Sequence, residues 1–219
     1  MSSAGIRQEL CIYARKIVEQ GLVVGPGGNL SARSGGCMYL SPSGFAVEEI
    51  LPEQWVEVDI ASGTVTEGGL RPSSEVLMHL YAYRRNAELG AMIHTHPTAC
   101  IAFTLVEQTL PIMFPDQAAL VGRTATIPYI LPTPALLAET VADQLASHST
   151  ILLGNHGLVA VGRNLREAYY RTQIVEQSCR IYMEARSVGI PAALTDAQLE
   201  EIRSLESETY RIRLLQQMQ

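Results

Sequence analysis

The chain reads as an α/β protein: one domain, residues 1–219, with a mostly antiparallel sheet between helices. Three observations predict this. Short apolar and β-branched runs alternate with longer segments of helical period. Tight turns rich in glycine and serine separate neighbouring short strands in hairpin fashion. No internal repeat, low-complexity tract or linker divides the chain, and 219 residues suffice for one sizeable core.

Taken in order, Ser2 or Ser3 can cap a first helix with Ile6, Leu10, Tyr13 and Ile17 on one face and a stop at Gly21. Gly25-Pro26-Gly27-Gly28-Asn29 is a turn dense in residues that permit unusual backbone angles. Leu30–Arg33 and Met38–Leu40 read as strands around Gly35-Gly36, followed by a tight turn at Ser41-Pro42-Ser43-Gly44. Trp55–Ile60 alternates and meets Thr64-Val65-Thr66 across Ser62-Gly63. Ser73 or Ser74 can cap a helix through Arg85. Ala91–His94 is a buried strand, and Pro97 opens a helix to Leu105. Residues 109–134 carry five prolines, with a strand expected over Thr126–Leu131. Leu136–Ala146 is helical, and Thr150–Leu153 and Leu158–Val161 are strands. Two helices close the chain, each with a capping-box pair: Asn164 with Glu167, and Thr195 with Gln198.

Composition narrows the class. Hydrophobic residues at 47% and charged residues at 17% fit a compact protein. A net charge of −6 argues against a general nucleic-acid binder, while leaving room for a local phosphate pocket. No apolar run is long enough to span a bilayer, and the small polar start at Met1–Gly5 has no long apolar core behind it. Cys11, Cys37, Cys100 and Cys179 are scattered, with no C-x-x-C pair, which points to reduced thiols and a cytoplasmic protein.

Chemistry concentrates in three places. His94-Thr95-His96 ends an apolar run; in an extended strand, residues i and i+2 share a face, so two imidazoles there can take neighbouring positions on one metal ion. About sixty residues later Gly154-Asn155-His156-Gly157 follows Ile151-Leu152-Leu153 and offers a third histidine at a strand end. His79 and His148 fall in helical segments and read as bystanders. Pro72-Ser73-Ser74-Glu75 begins a helix, where free N–H groups and the dipole suit an anion and Glu75 can reach a metal or act as general acid/base. The same four residues also make an ordinary N-cap. The turns Gly28-Asn29 and Ser43-Gly44 can expose N–H groups to an anion.

In order and spacing, Gly28-Asn29-Leu30-Ser31, Ser41-Pro42-Ser43-Gly44, Pro72-Ser73-Ser74-Glu75, His94-Thr95-His96 and Gly154-Asn155-His156-Gly157 resemble the signature of the class II aldolase/adducin family, over nearly the whole chain. The resemblance implies a single three-layer α/β/α domain, a homotetramer with interfacial active sites, and one divalent metal ion per subunit. Zinc is the first choice, with manganese, cobalt or iron also suited. It implies His94, His96 and His156 as metal ligands, and Glu75 as a carboxylate that ligates the resting metal and then serves as acid/base. It also implies Gly28, Asn29, Ser43, Gly44, Ser73 and Ser74 as phosphate-holding positions. The implied partner is a small sugar phosphate, with no nucleic acid and no membrane.

The implied activity is that of an aldehyde-lyase. It would cleave a fuculose 1-phosphate-like or 5-deoxy-pentulose 1-phosphate ketose, through a metal-stabilised enediolate, to dihydroxyacetone phosphate and a small aldehyde. A decarboxylase or dehydratase on the same metal platform is the alternative; a non-catalytic adducin-like module has no need of the histidines and Glu75. The chain departs from the family where a neighbouring subunit lends a tyrosine. Phe114 stands there, with Asp116 two residues on as a substitute, and Pro132 falls where the family has a phenylalanine. Tyr210 matches a tyrosine on the family's C-terminal tail, either as a lid residue touching substrate or as an amphipathic helix-end residue.

Overall fold

The helical and strand periods resolve into seven α-helices and one eight-stranded sheet in the computed structural model, which describes residues 2–67 and 69–217. Helix α1 (Ser3–Glu19) starts where the Ser2 hydroxyl accepts from the Gly5 N–H, and it ends before Gly21, whose φ of +67° is open to glycine without strain. Strands β1 (Asn29–Ser34), β2 (Cys37–Leu40), β3 (Val56–Asp59) and β4 (Val65–Glu67) form an antiparallel meander. After them come α2 (Val76–Arg85), β5 (Ala91–Thr95), α3 (Thr98–Thr104), β6 (Ala125–Ile127) and α4 (Ala135–Gln144). The chain finishes with β7 (Thr150–Leu153), β8 (Gly157–Gly162), α5 (Leu165–Val188), α6 (Asp196–Ser204) and α7 (Glu206–Gln217).

The strand order is β4-β3-β2-β1-β5-β8-β7-β6, so β5 lies near the middle, between β1 and β8. The expected antiparallel character holds for every pair but one: β6 and β7 run parallel, which makes the sheet mixed. Alternation along the strands builds apolar cores on both faces of the sheet. On one face Met38, Leu40, Met92, Ile151 and Val159 pack with α2 and α4. On the other, Leu30, Tyr39, Ala91 and Ile93 pack with α1 and the start of α5. The edge strand β4 is three residues long and fully exposed, its register with β3 is broken by an irregularity, and its Glu67 is paired to Arg7 of α1 at 2.6 Å.

Several local expectations need correction. Neither Ser73 nor Ser74 caps α2; Glu75 occupies the N-cap position and the helix starts at Val76. The strand expected to Leu131 ends at Ile127, because Pro128 cannot donate to the ladder. Three helices close the chain rather than two, since Leu205 adopts an extended conformation (φ −61°, ψ 131°) between α6 and α7. A π-helical turn at Gln117–Val121 sits in the proline-rich stretch, where the sequence showed no element. Both capping residues hold: Asn164 Oδ1 accepts from the Glu167 N–H at 2.9 Å and Thr195 pairs reciprocally with Gln198. The Glu167 carboxylate, however, accepts from the Arg163 N–H instead of closing the box on Asn164.

Candidate active site

The site gathers at the C-terminal end of β5. His94 is the fourth residue of that strand, with its Cα paired to Asn29 of β1 on one side and Val159 of β8 on the other. His96 follows two residues later, and His156 arrives from the turn between β7 and β8. Their rings stack edge to face or tilted, with centroids 4.8, 4.8 and 5.1 Å apart. Glycine makes the crowding possible. A Cβ on Gly27 would lie 2.8 Å from His96 Nδ1, one on Gly28 would lie 2.8 Å from the His94 carbonyl, and one on Gly157 would collide with the Thr95 carbonyl. Asn155 takes a φ of +57°, a left-handed conformation that asparagine tolerates, and so turns the chain to bring His156 inward.

The fourth member, Glu75, comes from the N-cap of α2. Its Oε2 is 3.2 Å from His94 Nε2 and its Oε1 is 3.7 Å from His156 Nε2. The Asn29 side-chain N–H donates to Oε2 at 2.8 Å. Burial pushes the Glu75 carboxyl upward, but the His94 ring, the Asn29 hydrogen bond and the His156 and His79 rings outweigh it together, so its pKa sits below the usual carboxylate range. Burial also pushes His96 and His156 down to about 4, with the neighbouring His94 ring adding to the effect, so both stay neutral near pH 7.

These features fit a cation. The carbonyl of Leu158 can only accept, so His94 Nδ1 carries a proton at 3.1 Å, which leaves Nε2 as the ring atom turned to the centre. His96 Nε2 lies 3.0 Å from it. Glu75 Oε1 is buried with no hydrogen-bond partner, an expense that a positive ion among the three rings would relieve. The ligand atoms of His94, His96 and His156 all lie within 4.8 Å of one another, and together they could hold a metal ion.

The two serine turns also meet. The Ser43 N–H donates to the Arg71 carbonyl (2.8 Å), the Ser73 N–H donates to Ser41 (2.9 Å), and Pro42 bridges to Pro72. Ser43, Gly44 and Ser74 are exposed, whereas Ser73 is buried and its hydroxyl accepts from the Glu75 N–H at 3.3 Å. Among the described residues, no hydrogen bond occupies the Gly44 or Ser74 N–H. An anion here would therefore meet those two N–H groups and the hydroxyls, not the N–H groups of Ser43 and Ser73.

Tyr210 is not brought into this cluster; it is 62% exposed on α7. Asp116, the proposed stand-in for the missing tyrosine, is ion-paired to Arg211 at 3.0 Å, and Phe114 is half-buried. His148 is a bystander as expected, bonded to Ser147 and to the Gln144 carbonyl. His79 is not. Fully buried, it bonds Asn29 Oδ1 through Nε2 (2.5 Å) and Ser31 Oγ through Nδ1 (2.6 Å), and Ser31 in turn meets the Tyr83 hydroxyl at 2.9 Å. A signal was in the sequence: Glu75, His79 and Tyr83 recur every four residues, one polar stripe at the start and along α2.

A sheet of this topology carrying three histidines and a buried carboxylate at one strand end defines a class. The sequence description "Class II Aldolase and Adducin N-terminal domain" matches residues 8–183, and the chain belongs to that family. It is similar to the 5-deoxy-D-ribulose 1-phosphate aldolase of Bacillus thuringiensis serovar kurstaki, at 31% identity over 90% of this chain and 92% of that protein. It is also similar to the 3-oxo-tetronate 4-phosphate decarboxylase of Haemophilus influenzae, at 28% identity over 90% of this chain and 96% of that one. Among solved structures, an L-fuculose 1-phosphate aldolase superposes with a TM-score of 0.88 at 32% identity, covering 96% of this chain and 98% of that chain.

Proposed function

We propose that this chain is a divalent-metal-dependent aldehyde-lyase that cleaves a phosphorylated ketose to dihydroxyacetone phosphate and a small aldehyde. The observation that carries the reading is the buried, unpartnered Oε1 of Glu75 beside the clustered rings of His94, His96 and His156. His94, His96 and His156 would hold the ion, with zinc the best match to three nitrogen ligands and a carboxylate. When bound, the ion supplies Lewis acidity to the ketose carbonyl and its neighbouring hydroxyl. Glu75 exchanges the proton at the substrate carbon beside that carbonyl, within reach of the same pocket. The turns at Gly28-Asn29, Ser43-Gly44 and Ser73-Ser74 hold the phosphate and so orient the reacting carbons through a remote group. The reading takes residues 1–219 as one three-layer α/β/α domain in a cytoplasmic homotetramer. A neighbouring subunit would there cover the site, and Tyr210 would serve as its lid.

Phe114, without an ionisable group where family aldolases lend a tyrosine, suits a less polar aldehyde, which favours a 5-deoxy-pentulose 1-phosphate over fuculose 1-phosphate. The similarity to a 5-deoxy-D-ribulose 1-phosphate aldolase points the same way. The similarity to a 3-oxo-tetronate 4-phosphate decarboxylase supports a second reading, loss of carbon dioxide from a sugar-acid phosphate on the same residues.

The test is release of dihydroxyacetone phosphate from fuculose, rhamnulose, ribulose and 5-deoxyribulose 1-phosphates, with and without chelator. Chelator-sensitive release, fastest from the deoxy sugar, is expected. Cleavage of the deoxy sugar no faster than of fuculose phosphate would remove the argument from Phe114. No release from any of them, with metal present in the protein, would shift the assignment to the decarboxylase.

A further inference from the structure

Behind the histidine cluster runs a line of hydrogen bonds whose direction can be worked out from its ends. Ionised Glu75 can only accept, so the Asn29 amide must turn its nitrogen toward Oε2 and its oxygen toward α2. The oxygen then faces His79 Nε2 at 2.5 Å, and a carbonyl only accepts, so Nε2 carries a proton. Full burial keeps the ring neutral, with its pKa pushed down to about 3. A neutral ring protonated at Nε2 has an acceptor at Nδ1, so the Ser31 hydroxyl donates to it at 2.6 Å. Ser31 has then used its one proton and accepts from the Tyr83 hydroxyl at 2.9 Å. Every donor points the same way, from Tyr83 toward Glu75.

We propose that His79 is a positioning residue: held as the Nε2–H tautomer by Ser31 and Tyr83, it fixes the orientation of the Asn29 amide and thereby keeps an N–H on Glu75. Without it, an asparagine amide can rotate by half a turn at little steric cost, and the flipped form would set oxygen against oxygen at the Glu75 contact. The consequence reaches the substrate side. Asn29 commits an amide N–H to Glu75 and is itself one of the phosphate-holding positions proposed above, so a single amide links the two roles. His79 therefore acts on both without touching either. This inference rests on the reading of Glu75 as the acid/base group, and its first readout does not depend on catalysis.

That readout is the ¹⁵N spectrum of the histidine rings in wild-type protein, with and without zinc. His79 is expected to show a protonated Nε2 and an unprotonated Nδ1 in both forms. A proton on Nδ1 overturns the proposal, whatever the enzyme acts on. The second readout compares His79→Gln, whose longer amide can replace the Nε2–H donor, with His79→Leu, which cannot. On the substrate that responds best, kcat of the leucine variant should fall about 10- to 100-fold, in line with the loss of a group orienting an active-site side chain. The glutamine variant should recover most of it. Equal loss in two folded variants would mark His79 as mere packing and overturn the positioning role. If the leucine variant does not fold, the tautomer alone decides. If the tautomer is as expected but no ketose phosphate is cleaved, the aldolase reading fails and this inference stands.

Discussion

Two regions rich in polar side chains are built on opposite principles. At the end of β5, Asn29, Ser31, Glu75, His79 and His94 are each no more than 8% exposed and hydrogen-bond within the chain, with Glu75 Oε1 left unpartnered. Around α7, Tyr210 is 62% exposed, and Arg211 pairs at the surface with Asp116. Buried partners lock one another because an unmet donor or acceptor there is costly, whereas exposed ion pairs are worth little. The buried polar groups are therefore prearranged within one chain, while the surface around α7 is left open.

The comparison can be broken at its strong end first. His94→Ala should abolish zinc binding, read by metal analysis after dialysis, and with it any cleavage; retention of stoichiometric metal would mean the three rings are not the binding set. Glu75→Gln is the next largest. It keeps the size of the side chain but removes the base, and should cut kcat by about 10²- to 10⁴-fold with the fold intact by circular dichroism. Unchanged turnover would move the proton-transfer role elsewhere.

The pH dependence of stability sharpens the same contrast. In the metal-free protein His79 has a pKa of about 3, and His96 and His156 about 4, against 6.5 for an unperturbed histidine. Below pH 6.5 the unfolded chain binds protons that the folded one refuses, so stability falls as pH falls, by up to about 1.4 kcal/mol per pH unit for each ring, until the folded value is reached. Glu75, with its pKa lowered, adds to the loss below about 4.5. Thermal melts of metal-free protein from pH 7 to 4.5 should show this decline, and His79→Gln should remove about one third of the histidine slope. A flat profile would mean the rings are not buried as neutral groups. The smallest effect belongs to the rim. Tyr210→Phe should alter stability by no more than about 0.5 kcal/mol, and a KM change above severalfold would show that α7 reaches the substrate after all.

The sequence announced the juxtaposition of His94 and His96 through their spacing, because i and i+2 share a face in an extended segment whatever the tertiary context. His79 was marked only by its four-residue spacing from Glu75 and Tyr83, a pattern that reads the same whether that face meets solvent or core. Only the fold, by laying β1 across α2, places Asn29 and Ser31 against it. The helix start was misplaced for a related reason: Ser73 and Ser74 have the chemistry of caps, but pairing of the 41–43 and 71–73 segments holds Ser73, Ser74 falls in the turn that follows, and Glu75 is left at the cap. The parallel β6–β7 pair and the π-helical turn were invisible because both lie in or beside the proline-rich stretch, where periodicity fails.

The outer strand β4 carries a consequence for how copies of this chain can meet. Its three exposed residues, broken register and Arg7–Glu67 tether offer a newcomer too short and too charged a template for strand addition. At the opposite border Pro128 cuts β6 to three residues. Both borders thus resist fibre-like growth by backbone pairing. Side-chain surfaces, which can be made selective and closed, are what the fold leaves for any contact between copies.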